Sequence, residues 1–280
     1  MRRLNLTCLF LVCMLLNGCV VADQLFYAPT AKIAHTPKEE GLAYEPVQFN
    51  SADGTLLSGW FIPSTTPAHG TVIHFHGNAA NIGVQYTVVS WLPKNGFNVF
   101  EFDYRGYGES RGRPNREGLY ADAVAALRYL KTRRDIDQTK IIVFGQSLGA
   151  ALALRVVGNN HFEGIVGVAE ESGFASYRNV ARDHYGILAD LLVPDYDEPV
   201  AAAAKISPIP LLIIHGDHDS VVPYAHAQAI YAAAREPKEL WTVADGNHLA
   251  ATLQFGQIYE PRLLQKFRDW TDASAQPVGP

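Results

Sequence analysis

"KIIVFGQSLGAALALRVVG", residues 140–158, switches periodicity in its middle. "KIIVF" is a short β-branched and aromatic run, the signature of a buried strand. "LGAALALRVVG" is rich in Ala and Leu, the signature of a helix. Between them stand Gly145-Gln146-Ser147-Leu148-Gly149, too few residues for an ordinary loop. The chain must turn sharply from strand to helix, and G-x-S-x-G is the pattern such a turn takes. Its glycines sit two before and two after the serine, where a Cβ would meet neighbouring backbone. Ser147 is then exposed at a helix N-terminus, where free N–H groups and partial positive charge favour developing negative charge. The alternative is a Gly-rich turn with a structural role only.

Outward from this turn, the rest of the body alternates strand and helix. Upstream, "EPVQFN" and "TLLSGWFI" flank the turn signal "SADG", which predicts a hairpin. "TVIHFHG" and "FNVFEFD" are apolar strands, with a helix expected between them from Val84 to Pro93. Asn115 is placed to cap a helix carrying Leu119, Ala123, Leu127 and Leu130 on one face. Downstream, "GIVGVAE", "PLLIIHG" and "ELWTVA" are strands. Helices are expected from Pro223 to Ala234 and from Tyr259 to Trp270. Such alternation predicts a mostly parallel sheet covered on both faces. Ligands of these sheets bind outside the carboxyl ends of the strands, so the loops leaving strands carry the chemistry.

Three more strand ends hold candidate groups. "IHFHGNAAN" (73–81) ends in a loop whose Asn78 backbone N–H, with that of Leu148, is suited to hold a charged oxygen. His74 and His76 read there as structural histidines. "AEESGFASY" (169–177) ends in Glu170 and Glu171, either loop-pinning groups or an alternative acid. "ADGNHLA" (244–250) places His248 after the last strand. Between these lies "HGDHDSVVP" (215–223), which packs His215, Asp217, His218 and Asp219 into five positions. Read alone, that cluster is a metal site, the acid of a triad or a polar loop. The chain order Ser147…Asp…His248 suits a serine nucleophile whose proton is taken by a histidine held by a carboxylate. The metal reading lacks a second ligand cluster at zinc spacing.

The body, about residues 45–272, resembles the α/β-hydrolase superfamily, and within it the single-domain esterase-like and depalmitoylase-like hydrolases. Five ordered motifs carry the resemblance: "HGNAAN" (76–81), "DYRGYGES" (103–110), "GQSLG" (145–149), "HGDHDSVVP" (215–223) and "GNH" (246–248). It implies an eight-stranded, mostly parallel sheet flanked by helices, with a small or minimal lid over 171–207. It also implies Ser147 as nucleophile, Asp219 as triad acid, His248 as base, and Asn78 with Leu148 as oxyanion donors. Within "HGDHDSVVP" the motif spacing selects Asp219. Asp217 is then loop-shaping, His218 exposed and His215 structural. The chain departs from the family pattern at Gly173, where relatives often have Pro, and at Leu249, where many have Asn. Tyr185 and Leu188 are expected near the acyl pocket.

The N-terminus reads separately. "MRRLNLTCLFLVCMLLNGC" has a basic start, an apolar run densest from Leu9 to Leu16, and a small residue before Cys19. That is the layout of a secretory signal peptide, and the run falls short of the roughly 20 apolar residues of a transmembrane helix. "LNGC" resembles a bacterial lipobox, which implies cleavage after Gly18, a lipid on Cys19, and a cell-envelope location, the outer membrane if the source is Gram-negative. The expected organisation is a signal peptide over 1–18, a lipid-anchored tether over 19–43, the hydrolase domain over 44–273, and a tail over 274–280; the alternative for "LFYAP" (25–29) is that it packs onto the domain, and the two are compatible.

Composition narrows the function classes. The formal charge of −5 gives no basic footprint for nucleic acid. Losing Arg2 and Arg3 with residues 1–18 would leave 21 basic against 28 acidic side chains, or −7, so lipid rather than polybasic attraction would hold the membrane. The three cysteines are Cys8, Cys13 and Cys19, which excludes a disulfide framework or a Cys-based zinc site in the folded body. The function expected is hydrolysis of small-molecule carboxylic esters or thioesters through an acyl-enzyme, with no metal or organic cofactor. Peptidase or acyltransferase chemistry on the same triad, and a non-catalytic lipoprotein binding module, are the alternatives.

Overall fold

A computed structural model describes residues 26–188, 193, 196 and 198–274. Its chain opens with a two-residue strand, β1 (Ala28–Pro29), followed by the hairpin of β2 (Glu45–Asn50) and β3 (Leu56–Ile62). Next come β4 (Gly70–Phe75), a two-residue β5 (Ala79–Ala80), the short helix α1 (Ile82–Gln85), β6 (Phe97–Phe102) and α2 (Arg116–Leu130). Then follow β7 (Ile141–Gln146), α3 (Leu148–Asn159), β8 (Ile165–Glu171), α4 (Tyr177–Tyr185) and α5 (Pro199–Ala203). The chain closes with β9 (Leu211–Gly216), α6 (Ala225–Ala233), β10 (Lys238–Val243) and α7 (Gly256–Ala273).

Eight strands form one sheet in the order β10-β9-β8-β7-β4-β6-β3-β2. Only β3 runs against its neighbours: it pairs antiparallel with both β2 and β6, and every other pair is parallel. The central strands β4, β6 and β7 are buried along their whole length, as a sheet covered on both faces requires. One core cluster packs Leu119, Leu127 and Leu152 of α2 and α3 against one face. A second packs Ile82, Tyr86, Leu263 and Phe267 against the other.

The chain passes from β4 to β6 on one side and returns to β7 on the other. A crevice opens at such a reversal, outside the carboxyl ends of β4 and β7. Gly149 sets how closely α3 approaches there, because a Cβ on it would run into the backbone of Phe75 and His76.

Three expectations need correction. Of the two expectations for the tether over 19–43, packing of "LFYAP" on the domain describes the chain from Phe26 and extends further, to Leu42, than that stretch, while 19–25 lie outside the described residues. From there the chain is fixed to the domain: β1 pairs with β5, Tyr27 and Leu42 are buried, and Asn81 Nδ2 donates to the carbonyls of Thr30 and Lys32. Backbone hydrogen bonds and two apolar anchors thus hold an aperiodic strip in place. The helix expected from Val84 to Pro93 is one α-helical turn followed by 3-10 turns at Tyr86–Val88 and Pro93–Asn95. Thr87 and Ser90 donate their hydroxyls to carbonyls three residues back, which competes with regular helix bonds. The closing helix is also longer than expected, accommodating Pro261 in its second turn. Among the described residues, no helix is long and apolar enough to cross a membrane.

Candidate active site

Ser147 stands between β7 and α3 with φ 52° and ψ −114°, a backbone conformation that L-residues rarely adopt. Such strain costs on the order of 1–3 kcal/mol and persists only where the surroundings enforce it. Here the Ser147 N–H donates to the Glu171 carbonyl at 2.9 Å, and Gly145 and Gly149 let backbone close in on either side. The turn delivers the Ser147 hydroxyl to the crevice.

His248 and Asp219 complete a line of hydrogen bonds. His248 Nε2 lies 3.1 Å from Ser147 Oγ, and His248 Nδ1 lies 2.8 Å from Asp219 Oδ2. With Nδ1 donating to the carboxylate, Nε2 is free to accept the serine proton. Asp219 Oδ1 accepts the backbone N–H groups of Val221 and Val222 at 2.9 and 2.8 Å. Burial alone would raise the Asp219 pKa, but hydrogen bonds from His215 and His248 outweigh it. The carboxyl is held well below its usual range and stays charged.

The two loops that carry this pair are tied to each other. Asn247 Oδ1 accepts from Ser220 N, Ser220 Oγ and His248 N, at 3.0, 3.0 and 2.8 Å. Asp245 and Leu249, on either side of His248, both have positive φ, so the loop is sharply bent around it. Leu249 N donates to Ser172 Oγ at 3.0 Å, which pins the loop to the end of β8.

Beneath the turn lies a buried polar network. Glu101 Oε1 and His74 Nδ1 are 2.6 Å apart, and His74 Nε2 is 3.1 Å from Gln146 Oε1. Gln146 Nε2 donates to Glu171 Oε2 and Thr252 Oγ1, and Thr252 N donates to Glu171 Oε1. Burial raises the Glu101 and Glu171 carboxyls above their usual range. Burial also drives His76 down to about 3, so it is neutral. His74, His76 and Glu171 are therefore framework groups. Glu170 is not bound to His248 either: its Oε2 accepts from Gly173 N at 2.9 Å, and burial pushes its pKa up to about 7.

The members of "HGDHDSVVP" separate. His215 Nε2 donates to the Val222 carbonyl at 2.8 Å and lies 3.3 Å from Asp219 Oδ2. His218 is exposed and pairs with Asp217 at 3.1 Å. Asp217 and Asp219 thus point to different partners.

Asn78 and Leu148 take the positions expected of them, Asn78 in the loop after β4 and Leu148 as the first residue of α3. The Asn78 side chain is fully engaged elsewhere. Its Oδ1 accepts from Tyr107 Oη at 2.8 Å and from Ala28 N at 3.3 Å, and its Nδ2 donates to the Phe26 carbonyl at 2.5 Å. This ties the loop after β4 to the strip at Phe26–Ala28 and to Tyr107. "DYRGYGES" supplies Tyr107, and its Arg105 clamps Asp122 and Asp53.

Sequence reasoning missed Asn247, Gln146 and Thr252. Asn247 alone carried a signal, as a side-chain amide beside a candidate base. Tyr185, expected near the acyl pocket, is 69% exposed at the end of α4. Leu188 closes a 3-10 turn, with its side chain outside the described residues. Cys19 also lies outside them. Among the described residues, no group of three or more His, Cys, Asp or Glu side chains is arranged to hold a metal ion.

Comparison with known proteins agrees with the geometry. Residues 66–194 match the family model described as "Serine aminopeptidase, S33". YfhR of Escherichia coli K12 is 42% identical over 249 residues, covering 87% of this chain and 86% of that protein. The α/β hydrolase domain-containing protein WAV2 of Arabidopsis thaliana is 33% identical over 271 residues, covering 87% of this chain and 86% of that one. Among solved structures, an esterase of Pyrococcus furiosus superposes with a TM-score of 0.76 at 23% identity, covering 88% of this chain and 98% of that one. A sheet of this order, a serine on a strained turn between β7 and α3, and relatives over most of the chain's length lead to one assignment: the chain belongs to the α/β-hydrolase superfamily.

Proposed function

We propose that this α/β hydrolase is a serine hydrolase that cleaves carboxylic esters or thioesters through an acyl-enzyme. The observation that carries the proposal is the continuous line Ser147 Oγ–His248 Nε2 (3.1 Å) and His248 Nδ1–Asp219 Oδ2 (2.8 Å). Ser147 attacks the substrate carbonyl as His248 takes its proton, and the charged Asp219 stabilises the imidazolium. The N–H groups of Asn78 and Leu148 hold the oxyanion. The tetrahedral intermediate collapses as His248 returns the proton to the leaving alcohol or thiol, which departs. Water, deprotonated by His248, then attacks the acyl-Ser147 ester, and the carboxylic acid leaves.

The reading extends to location. A lipid on Cys19 would hold the protein in a bacterial cell envelope, with residues 1–18 removed. Aminopeptidase chemistry on the same triad is the second reading, favoured by the description of the matched family model.

A fluorophosphonate probe tests the proposal. It is expected to label the full chain and to leave Ser147→Ala unlabelled; a folded, unlabelled parent chain would sink the hydrolase reading. A panel of acyl esters, thioesters and aminoacyl amides separates the two chemistries. For the anchor, Cys19→Ser is expected to abolish labelled palmitate incorporation, and unchanged incorporation counts against it.

A further inference from the structure

The large apolar side chains left exposed are unevenly distributed. Among the described residues there are seven: Val84, Tyr185, Ile187, Tyr196, Val221, Leu253 and Ile258. Every one lies on a segment leaving the carboxyl end of a strand. Val84 follows β4, and Tyr185, Ile187 and Tyr196 follow β8. Val221 follows β9, two residues after Asp219, and Leu253 and Ile258 follow β10, within ten residues of His248. The rim of the candidate active site therefore collects the apolar exposure that a water-soluble surface usually scatters.

The chain enters the domain at that same rim. Phe26 packs on Tyr177 at the start of α4, with ring centroids 6.3 Å apart, and its carbonyl accepts from Asn78 beside the crevice. Phe26 lies seven positions after Cys19. Fully extended they span at most roughly 25 Å, whereas a domain of this size is roughly 45 Å across. A bilayer holding Cys19 can reach the rim but not the far side of the sheet.

We infer that this rim docks on a lipid surface, so that the mouth above Ser147 opens toward the bilayer and receives the acyl chain of a membrane-resident ester or thioester. The inference rests on the proposed anchor and the proposed hydrolase chemistry. On the segments that leave strand ends, exposed acidic Glu109, Asp183, Asp217 and Asp245 stand with exposed basic Arg111, Arg113 and Arg182, which gives no single-sign field. Docking is by apolar insertion, insensitive to salt and to the anionic lipid content of the membrane.

The test uses the full chain in phosphatidylcholine vesicles, unsubstituted and as the triple variant Ile187→Ser/Leu253→Ser/Ile258→Ser. Two substrates are compared, water-soluble p-nitrophenyl butyrate and a long-chain fluorogenic ester embedded in the vesicles. The triple variant is expected to keep the soluble rate within twofold and to lose at least tenfold on the embedded ester. In parallel, L253W places a fluorophore on the rim, and brominated phosphatidylcholine is expected to quench its added emission by more than half. An unchanged rate on the embedded ester, or no quenching, overturns the docking. If the unsubstituted chain turns over neither ester, the hydrolase reading fails and quenching alone decides the docking. Mass analysis of residue 19 reports on the anchor independently of both.

Discussion

Glu170 and Glu171 close β8, and Asp217 and Asp219 follow β9, so adjacent strands bring two carboxylates each to one region of the molecule. The β8 pair is buried, and desolvation pushes both carboxyls toward the protonated form. The β9 pair is divided. Asp217 remains partly exposed beside His218, while the buried Asp219 collects two backbone N–H groups and two histidines and stays charged. Burial is common to Glu171 and Asp219. What differs is the kind of donor: Glu171 takes hydrogen bonds from neutral amide and hydroxyl groups, whereas Asp219 faces two histidines, groups able to carry positive charge beside the carboxylate.

The sharpest way to break this contrast is to neutralise its charged member. Asp219→Asn is expected to lower kcat by about 10⁴-fold, as removing the charge that fixes the histidine tautomer does elsewhere. Asp217→Asn should change kcat by less than about twofold, the scale of a substitution that leaves the relay intact. Equal losses in steady-state assays would mean the wrong carboxylate has been identified. Glu171→Ala attacks the framework instead. It strips acceptors from Gln146 and Thr252 and is expected to cost about 2–3 kcal/mol in urea unfolding; a loss below about 0.5 kcal/mol, the level of an ordinary surface change, would show the network to be dispensable.

Asn247→Ala leaves every charge in place and cuts the tie between the two loops. A fall in kcat of about tenfold, the scale of about 1.4 kcal/mol, is expected with KM little changed, because the base is held less firmly. A change confined to KM would point to substrate contact. A separate effect, on stability against pH and not on turnover, concerns Glu170, whose folded pKa of about 7 stands above the ordinary 4.5. Between those values the native state holds a proton that the unfolded chain has released. Stability therefore falls as pH rises from about 4.5 to 7, by at most about 1.4 kcal/mol per pH unit. Glu170→Gln should flatten that slope in unfolding measurements at pH 5, 6 and 7, and an unaltered slope would mean Glu170 titrates normally.

Much of this was legible along the chain, for a common reason. The strand-to-helix switch at Ser147, the cap at Asn115 and the hairpin at "SADG" are local patterns, set by neighbours within a few residues. Within "HGDHDSVVP" no local pattern separates Asp219 from Asp217; the motif of the family that the chain resembles singles out Asp219. The strip from Phe26 to Leu42 has no periodicity, and its partners Asn78 and Asn81 lie about fifty positions away in sequence. The short turns over 82–95 were missed because hydroxyl groups compete with the helix there, an outcome that apolar spacing does not register. The network under Ser147 joins residues from β4, β6, β7, β8 and the segment after His248, and only the assembled sheet brings them together.

The clasp between β1 and β5 has a practical consequence for anyone shortening this protein. The sheet begins at Glu45, which makes residue 44 an inviting place to start the chain. Starting there would take Ala28 N from Asn78 Oδ1, leaving it Tyr107 Oη alone, would remove the acceptors of Asn78 Nδ2 and Asn81 Nδ2, and would uncover the surface beneath Tyr27 and Leu42. The loop that carries Asn78 would lose the backbone it is laced to. The domain therefore extends upstream of Glu45 at least as far as Phe26.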